Sequence, residues 1–430
     1  MKGLLTQEIK DRILELSQQL PNVTSVAWGR KVVNGVWTGD FAIVIAVEKK
    51  KPLSEISINE HIPSRVVVAG KSIKTDVIEI EKHEIIGTCS STCGQTNNTA
   101  LANRQFFQHL QGGISFSSRN NGTSVGTLGG VVIHSETGCS VGLTNNHVTI
   151  QDAFYTSDRS VTGALVNEYS PVDYVYQQGE FGSANTPASY NCGVSLQYVP
   201  IHAKSTGLFN QVDAAIISID PTRWDPTIAW NQVGLESILG SNPPPFASTL
   251  EIDNLLATNP RVYSTGRTTG PKGFTPDCPM LIQSIGATLE NIAYPSSQAT
   301  SVNCKFTDAI RFIKPPQEEP DNPNPAEYCC NPLYSGDSGS FLLADINGTI
   351  KIIGLCYAGG AQVVAGCFLY GYACRIDMVA EQMGIQQFVT PGPLVDPDTI
   401  EYITIDGQSD QKIIYCESEA YWQVGFTGSL

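Results

Sequence analysis

The sequence predicts a mainly β chain fronted by a small α/β domain, and three observations point there. The first 86 or so residues hold one amphipathic helical stretch followed by about four short apolar runs. From about residue 111 the pattern changes to many short apolar segments punctuated by Gly and Asn. Across the 430 residues, 39 glycines and 25 prolines suit loop-rich β architecture, while 41% apolar residues suffice for sizeable cores.

In order, Met1–Leu20 reads as a helix because Leu5, Ile9, Ile13, Leu16 and Leu20 recur every three or four residues. Val23–Gly29, Phe41–Val47, Arg65–Ala69 and Ile73–Ile80 follow as strands. Phe41–Val47 is apolar without alternation, as in a strand covered on both faces. Thr88–Asn98 is rich in Ser, Thr, Asn and Gly, the composition of a linker. The resulting division is an α/β domain over 1–86, a linker over 87–110, a β domain over 111–390 and an extension over 391–430. The prolines of 242–245 and 315–325 belong in surface loops, since they cannot donate to a sheet ladder. The extension holds strand-like runs at Ile400–Ile405 and Lys412–Cys416, then Tyr421, Trp422 and Phe426, rings expected to pack back on the body.

Charge and cysteine usage narrow the function classes. A net charge of −15 offers no electrostatic footprint for a nucleic-acid backbone or an anionic membrane. Residues 352–374 are long and apolar enough to cross a bilayer. Their glycines instead suggest two buried strands, Lys351–Ala358 and Gly366–Arg375, with Gly359-Gly360 as the turn. Glu8, Lys10, Asp11, Arg12 and Glu15 interrupt the first helix, so no secretory core is legible and a cytoplasmic location is expected. Twelve cysteines in so long a chain are expected to be free, mostly buried thiols, with adjacent Cys329 and Cys330 the pair that most tests this view. Cys89 and Cys93 make one loose pair without the second that a closed zinc site needs, and no metal is expected.

Three segments carry chemistry. In Tyr334–Ser340, Gly336 and Gly339 bracket Ser338, which lets the backbone turn sharply and point the amides of Gly336 and Ser338 at one spot beside a hydroxyl nucleophile. A serine needs a general base, and His147 follows the strand-like Ser140–Thr144 at a polar strand end. The other five histidines, at 61, 83, 109, 134 and 202, lack that setting. Asp213 heads the apolar run 214–219, where a carboxylate either faces solvent or meets a partner such as an imidazole. Taken singly, each is an ordinary loop or strand-start residue; together they stand in the order His, Asp, Ser.

With Gly112–Ser115, Gly126–Gly130, Thr144–Val148, Val212–Ala215, Gly266–Gly270, Gly336–Gly339 and Ile353–Leu355, that order makes residues 111–385 resemble a trypsin-like, chymotrypsin-fold serine peptidase. The likeness is to the bacterial and plant narrow-leaf type with a small domain ahead. It implies two antiparallel six-stranded barrels with a cleft between them, a catalytic triad of His147, Asp213 and Ser338, and an oxyanion hole from Gly336 and Ser338. It also implies a substrate edge at Tyr357, Ala358 and Gly359 and a pocket base near Pro332, where an Asp would select Arg or Lys. Pro332 points instead to a small or medium apolar side chain before the cut bond. No cofactor is needed. Asp337, which in such enzymes is neutralised by a new N-terminus, is expected to meet an internal cation. The partners implied are a protein or peptide substrate, with neither nucleic acid nor membrane. A regulatory partner or oligomer contact through the first domain is a further expectation. The function implied is intracellular endopeptidase action of narrow specificity; the alternative is a silent chymotrypsin-fold module that binds a partner chain.

Overall fold

The computed structural model describes residues 3–33, 36–80, 83–85, 103–118, 125–149, 154–155, 161–162, 174–177, 190–273, 279–294, 302–313, 332–364, 367–395, 401–405 and 408–413. The described chain is mainly β, as the sequence predicts.

The first helix spans Gln7–Gln19 and buries Ile9, Ile13 and Leu16, the stripe read from its period. The strands Val23–Val33 and Val36–Val47 pair antiparallel, and the latter runs parallel to Lys71–Glu79. Ala42 to Ala46 are 0% exposed, so the unbroken apolar run is covered on both faces, as expected. Val23–Val33 also pairs antiparallel with Met280–Tyr294, with Trp28 opposite Ile285, so the N-terminal strands extend a sheet built largely from the second half of the chain.

In that sheet Arg261–Gly266, Phe341–Ile346, Thr349–Val364, Cys367–Arg375, Val302–Ile313 and Met280–Tyr294 are neighbours in this order. Met280–Tyr294 pairs back onto Arg261–Gly266 through Val262 and Met280, which joins the two ends of the run. The other large sheet has eight strands, among them Gly130–His134, Ser140–Thr144, Ala215–Ile217 and Asn191–Tyr198. Its two ends are not paired with each other among the described residues. The expected pair of closed barrels is therefore not drawn by strand pairing alone.

Residues 352–364 and 367–374 form strands, and among the described residues no helix is long and apolar enough to cross a membrane. The expected turn at Gly359-Gly360 needs correction. Both glycines lie within Thr349–Val364, opposite Gly371 and Tyr370, so the strand runs past them. Glycine here serves close approach: a Cβ at Gly360 would meet the His83 ring and Tyr372. In the C-terminal extension Glu401–Ile405 and Gln408–Ile413 pair as a hairpin, while Tyr421, Trp422 and Phe426 lie outside the described residues. Residues 87–102 of the expected linker lie outside them too. Asn103 is buried and its amide donates to the carbonyls of Gly113 and Gly266, tying the entrance of the β region to both large sheets.

His83–Ile85 is a short strand inserted between Met280–Tyr294, parallel to it, and Thr349–Val364, antiparallel to it. His83 is buried edge-on against Tyr372, and burial together with the Arg311 guanidinium pushes its imidazole down to about 3, against a partial opposing pull from a Thr24 backbone hydrogen bond. A histidine whose folded-state pKa is lowered binds fewer protons folded than unfolded. Its stability contribution is intact above the unfolded value of about 6.5 and is lost as pH falls from there toward 3. Denaturant midpoints compared with His83→Gln are expected to show wild type losing stability relative to the variant by up to about 1.4 kcal/mol per pH unit below 6.5. Parallel pH profiles for the two proteins would contradict this.

Candidate active site

His147 lies on the single helical turn Asn146–Thr149, directly after the strand Ser140–Thr144. That strand pairs antiparallel with Ala215–Ile217, Thr144 opposite Ala215. The register carries Asp213, just ahead of its strand, alongside His147, just after its own. The imidazole Nδ1 stands 2.6 Å from Asp213 Oδ2, and the His147 backbone amide donates to Oδ1 at 3.3 Å. A carboxylate accepts only, so Nδ1 carries the proton and Nε2 is left as the basic atom. Asn145 fixes the other side of the pair by donating from its amide to the Asp213 carbonyl at 2.6 Å, and the Asp213 backbone amide donates to Cys374 Sγ at 3.3 Å. The side chains of His147 and Asp213 are both 0% exposed.

Ser338 comes from the other sheet. The Tyr334–Ser340 loop turns with positive φ at Gly336 (98°) and Gly339 (93°), the backbone freedom anticipated for those glycines. Thr127 clasps this loop: its amide donates to the Ser338 carbonyl at 2.7 Å and its hydroxyl to the Gly336 carbonyl at 2.9 Å. The Thr127 carbonyl in turn accepts from the Thr144 hydroxyl at 2.8 Å, on the strand that leads to His147. The Ser338 loop and the strand that leads to His147 are thus pinned to one residue. The Ser338 hydroxyl, however, donates to the Tyr357 carbonyl at 3.4 Å, not to the imidazole.

The amides of the loop divide into two sets. Those of Asp337, Gly339 and Ser340 donate to the carbonyls of Tyr334, Cys356 and Asp337. Those of Gly336 and Ser338 make no hydrogen bond among the described residues, which leaves the two expected oxyanion donors available.

The expectation of a cation on Asp337 is overturned. Its carboxylate is fully buried and accepts from the backbone amides of Thr268 and Thr269 at Oδ1 and of Tyr334 at Oδ2, at 2.9–3.0 Å. Three amide dipoles serve where a cation was anticipated, because the Gly266–Gly270 turn folds directly over the loop. Burial raises its pKa and the amides pull in the opposite direction.

Pro332 is buried just before Leu333–Tyr334, a two-residue strand paired with Cys367–Arg375. Tyr357 and Ala358 are 0% exposed, and the Tyr357 ring packs on Phe306 at 4.8 Å between centroids. The open edge expected at Tyr357, Ala358 and Gly359 is not open. Ile85 pairs with Ala358 and Glu84 with Gly359. Nothing in the local sequence at 83–85 signals this, since the pairing joins segments far apart in the chain.

Tyr294 was missed by sequence reasoning. It packs edge-on to the His147 ring, 5.7 Å between centroids, and burial plus the Asp213 charge hold its phenol well above the usual tyrosine range. Among the cysteines, Cys192, Cys304, Cys356 and Cys374 are free and buried, with thiols pushed up by burial, as expected. Cys139 departs from that expectation and is disulfide-bonded.

No protein-family model matches the sequence, and no curated protein matches it. Among solved structures, Thermobifida fusca protease A matches at 14% identity over 66% of this chain and 99% of its own, with a TM-score of 0.35. Nocardiopsis protease matches at 14% identity over 65% and 98%, also at 0.35. Cellulomonas bogoriensis chymotrypsin matches at 14% over 66% and 100%, at 0.33.

Truncating Asp337 to alanine strands three buried amides, each costing about 1–3 kcal/mol if left unpaired. Asp337→Ala is expected to lower the unfolding free energy by at least about 2 kcal/mol, read from denaturant midpoints. A midpoint equal to wild type would show that those amides find other partners.

Proposed function

We propose that the chain is a serine endopeptidase of the chymotrypsin-fold, trypsin-like type, with His147, Asp213 and Ser338 as its triad. The observation that carries this reading is the buried His147–Asp213 pair at 2.6 Å, joined through Thr127 to a serine loop with two uncommitted amides. A fully buried Asp–His pair is costly to maintain, and general-base activation of a hydroxyl accounts for that expense.

The chemistry follows from the geometry. Rotation of the Ser338 side chain about Cα–Cβ transfers its hydrogen bond from the Tyr357 carbonyl to His147 Nε2. Oγ attacks the peptide carbonyl carbon as Nε2 takes the proton, and Asp213 steadies the imidazolium. The amides of Gly336 and Ser338 hold the oxyanion, and Nε2 then protonates the leaving amine. Water, deprotonated by the same imidazole, hydrolyses the acyl-enzyme and returns the proton to Ser338.

On this reading the two large sheets are the two barrels, residues 111–390 are the peptidase region, and 1–86, joined by 87–110, is an N-terminal segment whose strands extend one of those sheets. The substrate is an extended protein or peptide segment, with an apolar side chain of small or medium size before the cut bond, near Pro332. Action on few substrates fits the loop insertions.

Labelling with a fluorophosphonate tests the assignment. Modification at Ser338 is expected in wild type and is lost in Ser338→Ala, while Asp213→Asn lowers kcat on cleaved peptides by about 10⁴. A library digest is expected to show cuts after apolar residues. Cleavage mainly after Arg or Lys would refute the pocket assignment; undiminished labelling of Ser338→Ala would refute the nucleophile.

A further inference from the structure

The strand His83–Ile85 stands where a substrate of the proposed peptidase would lie. Ala358 to Gly360 pair antiparallel with Ile85 to His83, and on the opposite side Ile292 and Ala293 run parallel to His83 and Glu84. Adjacent strands are about 4.8 Å apart, so the two flanking segments are held about 10 Å apart, room for one extended chain and no more.

Direction matters as much as position. Passing from His83 to Ile85, the partners advance from Gly360 to Ala358 on one flank and from Ile292 to Ala293 on the other. The next residue on the first flank is Tyr357, whose carbonyl accepts from the Ser338 hydroxyl. The next residue on the second is Tyr294, whose ring rests against His147. The inserted strand therefore points its C-terminal end at the catalytic pair, the polarity of the acyl side of a substrate. It is also firmly seated: His83 and Ile85 are buried, with 1% and 7% exposure. Ser338 and His147 are both 0% exposed, so the site is closed while the strand is in place.

Resting on the peptidase reading, we propose that His83–Ile85 is a built-in substrate mimic that occupies the acceptor edge Ala358–Gly360 and holds the enzyme inhibited. An extended segment of a protein substrate binds by adding a strand to that same edge, so it competes with an occupant tethered in the same chain. Apparent affinity for substrate is reduced by the fraction of molecules whose edge is vacant. Activation is then displacement of this strand, by a partner, by a competing segment or by a cut in the chain.

The test uses the full chain and the labelling rate of Ser338. Ile85→Asp buries a charge against Ala358, and Glu84→Pro removes a strand amide; each is expected to raise the fluorophosphonate labelling rate at least tenfold while a cooperative melt is retained. A synthetic peptide of sequence 80–86, added in excess, is expected to slow labelling of Ile85→Asp again. Folded variants that label at the wild-type rate would overturn the inhibition and leave the peptidase reading standing. No labelling of wild type or of either variant would remove both. Should the variants fail to fold, wild type supplies the measurement through hydrogen exchange after reaction with a tripeptide phosphonate. Loss of protection at residues 83–85 supports displacement, and unchanged protection there overturns it.

Discussion

Asp213 sets the terms for the rest of the molecule. A carboxyl group without solvent contact is tolerable only when its polar atoms find partners, and both the side chain and the backbone of Asp213 find them. The His147 ring and amide occupy its oxygens, Asn145 holds its carbonyl and Cys374 accepts from its own amide. Those partners arrive from two strand ends of one sheet and, at the backbone amide, from the Cys367–Arg375 strand of the other, so seating this one residue also registers the two sheets against each other. Thr127 repeats the logic at the serine loop, where one residue joins the Ser338 and Gly336 carbonyls to the strand that leads to His147.

On the peptidase reading, the candidate site is formed but covered. Three backbone amides hold Asp337, and through it the Ser338 loop, without any ion pair. Such a loop needs no chain cleavage to acquire its shape. On the same reading, what stands between the loop and a substrate is the short strand at 83–85, seated by backbone pairing on two flanks and by a buried histidine kept neutral. Its removal would expose an edge already shaped for an extended chain, which separates the building of the site from its opening. The N-terminal strands take part in the same arrangement, since Val23–Val33 and the inserted strand both pair with Met280–Tyr294.

Local pattern carried much of this. The period of Leu5, Ile9, Ile13 and Leu16, the unbroken run at 41–47 and the bracketing of Ser338 by Gly336 and Gly339 each reflect a constraint acting within a few residues, and each is legible without coordinates. The partnership of His147 with Asp213 was also legible, because a carboxylate at the head of a buried strand must be matched and few imidazoles are available. Gly359-Gly360 misled because glycine marks both turns and close approaches, and only the neighbour across the sheet tells which applies. Asp337 misled likewise: sequence shows that a buried acid needs compensation, but backbone amides leave no trace in residue identity.

By itself, then, the sequence determined element types, the candidate site residues and the need for partners around them, since these follow from side-chain chemistry and short-range spacing. Only the tertiary structure decided that the Ser338 hydroxyl rests on Tyr357, that Tyr294 flanks the imidazole and that residues 83–85 fill the edge beside them. These are pairings between backbone groups and rings brought together from distant parts of the chain. Backbone hydrogen bonds are nearly indifferent to residue type, and so the sequence cannot announce which strand will take an unfilled edge.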